Sequence, residues 1–148
     1  LDNYKKLHLF ASGRITRPIE TWNSMMKMLE NSKLSLFFLK YNNEFISGQL
    51  STEFFNSARS SSQASIKDEI YKNYSLRKFL EWKIIKYYKN LGFKYYCLGH
   101  SFYFSKGFSK EIDDKHKRIG QLKTRFGGDQ YPEHFFRIHS KNKNVYEE

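Results

Sequence analysis

Apolar residues change their spacing several times along this chain, and each change predicts an element. Between Pro18 and Asn31, the residues Ile19, Trp22, Met25, Met26 and Leu29 fall at i, i+3, i+6, i+7 and i+10, the spacing of one buried helical face. Pro18 suits an early helix position, and Thr16 can cap the helix. Leu34–Tyr41 is an apolar run of strand length, Asn42-Asn43-Glu44 is a turn, and Phe45–Phe55 is the next strand, which predicts a hairpin. Gly48 inside that strand predicts a bulge or a close backbone approach. Ala58–Ile66 is small and polar and reads as either a third strand or a loop. Ser75 is a fair cap for a long helix in which Leu76, Phe79, Leu80, Ile84, Tyr87, Tyr88 and Leu91 share a face, and Gly92 ends it. Phe93–Leu98 then reads as a strand closed by Gly99-His100. A loop over Ser101–Asp114, a short helix over Lys115–Phe126, a closing strand over Tyr131–His139 and a polar tail over 141–148 complete the chain.

This order predicts an α/β (α+β) fold, a mixed sheet flanked by helices, and it fits neither a zinc module, a repeat array nor a coiled coil. The 148 residues suit one domain, 1–148, and an aromatic content of 18% argues against disorder. Because the chain starts at Leu1, it reads as part of a longer protein. Cys97, the one cysteine, excludes an internal disulfide and a cysteine metal cluster, and its apolar neighbours predict a buried strand residue. No apolar run reaches the roughly 18 residues needed to span a bilayer, and no secretory leader is visible. These features set a cytoplasmic expectation.

Charge enlarges the picture. Lys+Arg is 26 against 15 for Asp+Glu, a formal charge of +11, which favours anionic partners such as phosphates, tRNA or an acidic membrane surface. AT-rich codon usage would produce the same lysine content. The stretch Arg118–Gly128 reads as a basic, amphipathic turn of helix running into a glycine pair. There Ile119, Leu122 and Phe126 share a face, Arg118, Gln121 and Arg125 point elsewhere, and Lys123 lies at the rim. Gly127-Gly128 ends the helix. A lysine held there suits an oxyanionic substrate; the plainer reading is a helix stop with solvated cations. Arg14 and Arg17 flank the start of the first predicted helix, as a phosphate or carboxylate site or as two exposed arginines. His100, just after a strand-end glycine, can accept a proton near neutral pH, or is a solvated loop histidine. Tyr74 can donate a hydrogen bond to substrate, and Trp82 reads as core. The histidines show no metal-type pairing, so no metal is expected.

Three segments carry a family likeness. They are Gly13-Arg14-Ile15-Thr16-Arg17-Pro18 before Thr21-Trp22; Phe79–Ile85 with Leu91-Gly92-Phe93-Lys94-Tyr95-Tyr96 and Leu98-Gly99; and Leu122-Lys123-Thr124-Arg125-Phe126-Gly127-Gly128. Together they resemble the GNAT-like domain of the Fem-type aminoacyl/acyl transferases, over about Ala11 to Arg137. The resemblance implies a mostly antiparallel sheet flanked by helices. It also implies transfer of an acyl group from acyl-CoA (acetyl-CoA) or aminoacyl-tRNA to an amine on a cell-envelope glycan or peptidoglycan precursor peptide. Lys123 and His100 are then the catalytic candidates, with Arg14, Arg17, Arg59, Tyr74, Phe126, Gly127 and Gly128 binding substrate or donor. Leu122 replaces the family's usual phenylalanine. Arg59-Ser-Ser-Ser-Gln-Ala64 keeps only the outer residues of the acetyl-CoA loop pattern. The competing readings are a basic RNA- or tRNA-binding module and a non-catalytic transferase-like scaffold, with peripheral membrane contact open to each.

Overall fold

A computed structural model describes residues 1–67, 69–71, 73–100 and 113–131. The chain divides into two compact units, Leu1–His100 and Ser101–Glu148. In the first, the element order is α1 (Asp2–Ser12), α2 (Ile19–Glu30), β1 (Leu34–Tyr41), β2 (Glu44–Phe54), β3 (Ser57–Ser65), α3 (Leu76–Asn90) and β4 (Tyr95–Cys97), with a 3-10 turn at Glu69–Tyr71.

The strands form one sheet in the order β1-β2-β3-β4. β1, β2 and β3 run antiparallel in sequence, and β4 joins β3 in parallel. Asn42 and Asn43 both take positive φ (47° and 63°), the requirement of a tight hairpin turn that asparagine meets at low cost. The segment Ala58–Ile66, open between strand and loop in the sequence, is strand β3. Its register against β2 passes from Leu50↔Ser62 to Ser51↔Ser60, so Ser61 is an extra residue, a β-bulge. Gly48 lies at a close approach. A Cβ there would stand 2.9 Å from Tyr4 Cδ2 and 3.2 Å from the Phe38 ring.

Alternation along the strands splits the core between the two faces of the sheet. One face packs Leu34, Leu50 and Ala64 against Tyr4 and Leu7 of α1 and Trp22 of α2. The other packs Ala58, Phe37 and Leu39 against Leu80, Ile84 and Tyr88 of α3. Helix α1 was absent from the expectation, although Leu1, Tyr4, Leu7 and Ala11 keep helical spacing and Gly13 (φ 69°) closes it.

Several expectations are corrected. Pro18 is itself the N-cap of α2, with no side-chain cap hydrogen bond, so Thr16 does not cap it. The inner stripe of α2 runs through Trp22, Met25, Met28 and Leu29, while Ile19 and Met26 are exposed. Ser75 occupies the N-cap of α3 without a side-chain hydrogen bond. On α3 the buried positions are Leu80, Glu81, Ile84 and Tyr88, whereas Phe79, Tyr87 and Leu91 are exposed. Trp82 faces solvent with Lys86 Nζ 5.5 Å from its ring centroid. Cys97 lies on β4 as expected but is exposed, because β4 is an edge strand whose outer side chains have no covering layer among the described residues.

In the second unit, α4 spans Asp114–Thr124. The Asp113 carboxylate caps it, accepting 2.8 Å from His116 N and 2.6 Å from His116 Nδ1. These bonds hold its carboxyl below the usual range, the backbone bond first. Ile119, Leu122 and Phe126 are half-buried while Arg118, Gln121 and Arg125 are exposed, as the spacing predicts. The loop over Ser101–Asp114 (apart from its last two positions), the closing strand beyond Tyr131, His134, His139 and the tail lie outside the described residues. No described helix is long and apolar enough to cross a membrane.

Candidate functional site

The site begins where two strands part. The parallel ladder joins only Ser57–Arg59 to Tyr95–Cys97. Beyond it β3 runs on to Ser65, whereas β4 stops at Cys97 and Gly99 turns the chain at φ 78°. Cys97 Sγ accepts a hydrogen bond from Gly99 N at 3.3 Å, which fixes that turn. Among the described residues, the β3 edge from Ser60 onward has no strand partner on the β4 side. The bulge at Ser61 lies in this stretch and increases the local twist. The result is a wedge with one wall of strand backbone that no described strand pairs on that side.

Two sequence candidates meet at its mouth. Arg59 leaves β3 where the ladder ends, and His100 follows β4; Arg59 Nη2 lies 3.0 Å from His100 Nε2. A guanidinium has no acceptor, so Nε2 accepts and the imidazole carries its proton on Nδ1. The pairing also places Arg59-Ser-Ser-Ser-Gln-Ala64 inside a hydrogen-bonded strand, so it is not a phosphate loop.

Beneath the wedge is a buried polar network that the sequence reading missed. Glu81 on α3 is 7% exposed. Its Oε1 accepts from Gln49 Nε2 (2.9 Å) and from Tyr96 OH (2.5 Å), and its Oε2 accepts from Ser60 Oγ (3.4 Å). Gln49 Nε2 also reaches Tyr96 OH at 2.8 Å, while Gln49 Oε1 is buried without a partner. Burial first, then the Glu81 charge and its hydrogen bond, push the Tyr96 phenol far up. The phenol therefore stays protonated and remains a donor to the carboxylate. Next to it Glu53 accepts from Tyr88 OH (2.7 Å) and from Ser35 Oγ. A signal existed in the sequence: Glu81 stands at i, i+3, i+7 with Ile84 and Tyr88, an acid on the inner face of a helix.

The start of α3 closes the far end of the β3 wall. Arg77 Nε donates to Gln63 Oε1 (2.9 Å), and Gln63 Nε2 donates to Arg77 O (3.0 Å). The first turn holds Arg77 and Lys78 and no acid, so its positive dipole end is reinforced by cations.

Arg17 is half-buried against the opposite sheet face. Its Nη2 donates to Ser62 Oγ (2.9 Å), its Cζ is 5.2 Å from the Trp22 ring centroid, and its Nη1 is buried without a partner. Ser62 Oγ also pairs with Tyr4 OH at 2.7 Å. Arg14 and Tyr74 are exposed. In the second unit, Lys123 is half-buried in the last turn of α4, and Phe126 N donates to Lys123 O at 3.1 Å. Gly127 takes φ 74°, which explains glycine there; Gly128 follows it, exposed. Among the described residues no group of three or more metal-ligating side chains comes together.

No family model matches the chain, and no curated protein matches it in sequence. Solved structures do. An aminoglycoside acetyltransferase from an uncultured soil metagenomic sample superposes with a TM-score of 0.61 at 14% identity, over 94% of this chain and 88% of that one. The aminoglycoside acetyltransferase AAC(6')-Iy, solved with a coenzyme A–acetylneamine bisubstrate analogue, gives 0.59 at 11% identity, over 95% and 90%. The ribosomal-protein-S18-alanine N-acetyltransferase of Escherichia coli gives 0.51 at 15% identity over 62% of this chain, which spans 55% of that enzyme. At such identities the likeness establishes architecture: this chain has the fold of the GNAT N-acetyltransferases.

Proposed function

We propose that this chain is an N-acyltransferase that moves an acyl group, acetyl in the simplest case, from a coenzyme A thioester to an amine. The observation that supports this reading is the parting of β3 and β4, with a strand edge inside that is unpaired among the described residues and the Arg59–His100 pair at the mouth. An extended donor rich in amides can bond to that edge as another strand would. Neighbours of the same fold act on aminoglycosides, and one holds a coenzyme A analogue. The donor set fits such a ligand. Arg77 and Lys78 at the start of α3 would meet its phosphates, and β3 backbone N–H groups would meet its carbonyl oxygen. Because 66–75 contains no glycine, cations replace the usual glycine cradle.

In the reaction the amine nitrogen bonds to the thioester carbonyl carbon, the C–S bond breaks, and the amine proton leaves as the thiol departs. His100 is the candidate proton acceptor through Nε2, which has to part from the Arg59 guanidinium to take the proton. Lys123 stays a candidate cation for the developing oxyanion on its sequence signature, with Phe126, Gly127 and Gly128 beside it; Arg14, Arg17 and Tyr74 stay candidate binding residues. We read both units as one acyltransferase domain of the Fem-type group. Its acceptor is an amine-bearing glycan or peptide precursor of the cell envelope, and aminoacyl-tRNA is the alternative donor.

The test is incubation with acetyl-CoA or charged tRNA and a panel of amino sugars and peptidoglycan stem peptides, reading thiol release and product mass. Arg59→Ala and His100→Ala should each lower kcat/KM by about 100-fold with unchanged melting temperature. Lys123→Ala should lower kcat by a similar factor, roughly 100-fold. Failure to modify any amine with any donor would sink the reading. The glycine-free connection favours a second one, a non-catalytic scaffold, in which coenzyme A neither raises the melting temperature nor is consumed.

A further inference from the structure

The hairpin between β2 and β3 ends in the two most conspicuous apolar side chains of the first unit. Phe54 is 74% exposed and Phe55 88%, and their rings meet edge to face at 4.5 Å. Phe54 pairs with Ser57 across the turn. Phe55 takes φ 51°, a conformation that glycine normally supplies at a hairpin tip and that costs a bulky residue about 1–2 kcal/mol. A bulky ring is thus kept in water on a backbone that disfavours it.

Cations flank the tip on both sides. Lys33 O accepts from Glu53 N (3.0 Å), and Lys94 N donates to Asn56 O (2.8 Å). Both lysines are exposed, as is Tyr95, which pairs with Ser57. Glu53, the acid beside the rings, turns its carboxylate inward to Tyr88 and Ser35. Glu30 is the nearest exposed acid along the preceding connection.

We infer that this tip seats Phe54 and Phe55 in the interfacial zone of an anionic lipid bilayer, with Lys33 and Lys94 against the lipid phosphates. Size decides against a protein partner. Two phenylalanines supply roughly 400 Å², well short of the about 800 Å² per partner of a standard interface. A bilayer needs only a small apolar wedge joined to basic side chains. The net charge of +11 adds long-range attraction to the same surface. This inference does not depend on the acyl-transfer reading.

The experiment is co-sedimentation of the full chain with vesicles of phosphatidylcholine alone and of phosphatidylcholine with phosphatidylglycerol. The wild type should sediment with the anionic vesicles. Phe55→Gly should weaken that binding about ten-fold, while the melting temperature rises because the turn is relaxed. Phe54→Ser should weaken it by a similar factor, and Lys33→Glu with Lys94→Glu by more than about ten-fold. Trp emission of Phe55→Trp should shift to the blue on the anionic vesicles and be quenched by brominated lipid. Wild type that stays in the supernatant, or binding unchanged by Phe55→Gly, would overturn the inference. So would a dimer that Phe55→Gly dissolves without any vesicle binding.

Discussion

The two faces of one sheet solve burial differently. Against α1 and α2 the sheet presents Leu34, Leu50 and Ala64, and the buried partners are mostly apolar. Against α3 it presents Ser47, Gln49 and Ser51, all fully buried, together with the Glu81 carboxylate. An apolar face gains from area removed from water and tolerates repacking. A polar face gains only where its donors and acceptors are matched, as around the Glu81 carboxylate, whereas Gln49 Oε1 and Ser51 Oγ are buried there without a partner. The polar face is the one that carries Ser60 and Tyr96, which flank the parting of β3 and β4. The Glu81 hydrogen bonds therefore tie α3 to the sheet beneath the wedge.

Substitutions separate the two kinds of face. Leu50→Ala should cost most, about 3 kcal/mol in a denaturant titration, since it opens a void at a fully buried site. On the other face, Tyr96→Phe and Glu81→Met should each cost about 2 kcal/mol, because each strands a buried partner. The double variant should cost clearly less than the sum, by about 1 kcal/mol or more. Strict additivity would mean that the network is not a unit. Gly48→Ala comes next, with about 1–2 kcal/mol lost as Tyr4 and Phe38 give way. A neutral result would mean that α1 docks more loosely than described.

The smallest effect is a pH slope on the apolar face. Burial, helped by the Arg17 charge, holds the His8 imidazole below its ordinary value. The unfolded chain then takes up a proton that the folded chain refuses. Stability from this source is complete above about pH 6.5 and declines as pH falls toward the lowered folded value. His8→Phe, which keeps a ring 5.6 Å from Trp22, should flatten thermal stability between about pH 6.5 and pH 5.

Much of the fold was legible because local pattern and tertiary burial agreed. Strand β1 matches its expected bounds, and α2, α3 and the hairpin fall within a residue or so. Helix α1 was missed because its stripe is sparse and carries lysines and His8 between the apolar positions. The exposure of Phe79, Trp82 and Cys97 was misjudged for one reason: apolar character says what a residue would gain by burial, not whether a layer is there to cover it. Of the site, Arg59 and His100 were both named, but their contact joins residues distant in sequence and depends on where a ladder ends. The Glu81–Tyr96–Gln49 network was unread because an acid between aromatic positions looks like a solvated helix residue until its face is known. Arg17, read as part of an anion site or as an exposed arginine, is half-buried and packs on Trp22 and Ser62.

The extra residue at Ser61 works as a parity switch. Before it, the even-numbered side chains Ala58 and Ser60 belong with α3; after it, the even-numbered Ser62 and Ala64 belong with Tyr4 and the helices opposite. A regular strand that kept that serine in the alternation would drive Gln63 and Ser65 into the oily layer and turn Ala64 away from it, whereas excising it would set Ser62 directly after Ser60 and leave every downstream side chain on its present face. A deletion at 61 should therefore keep the sorting of the strand and remove only the local bend.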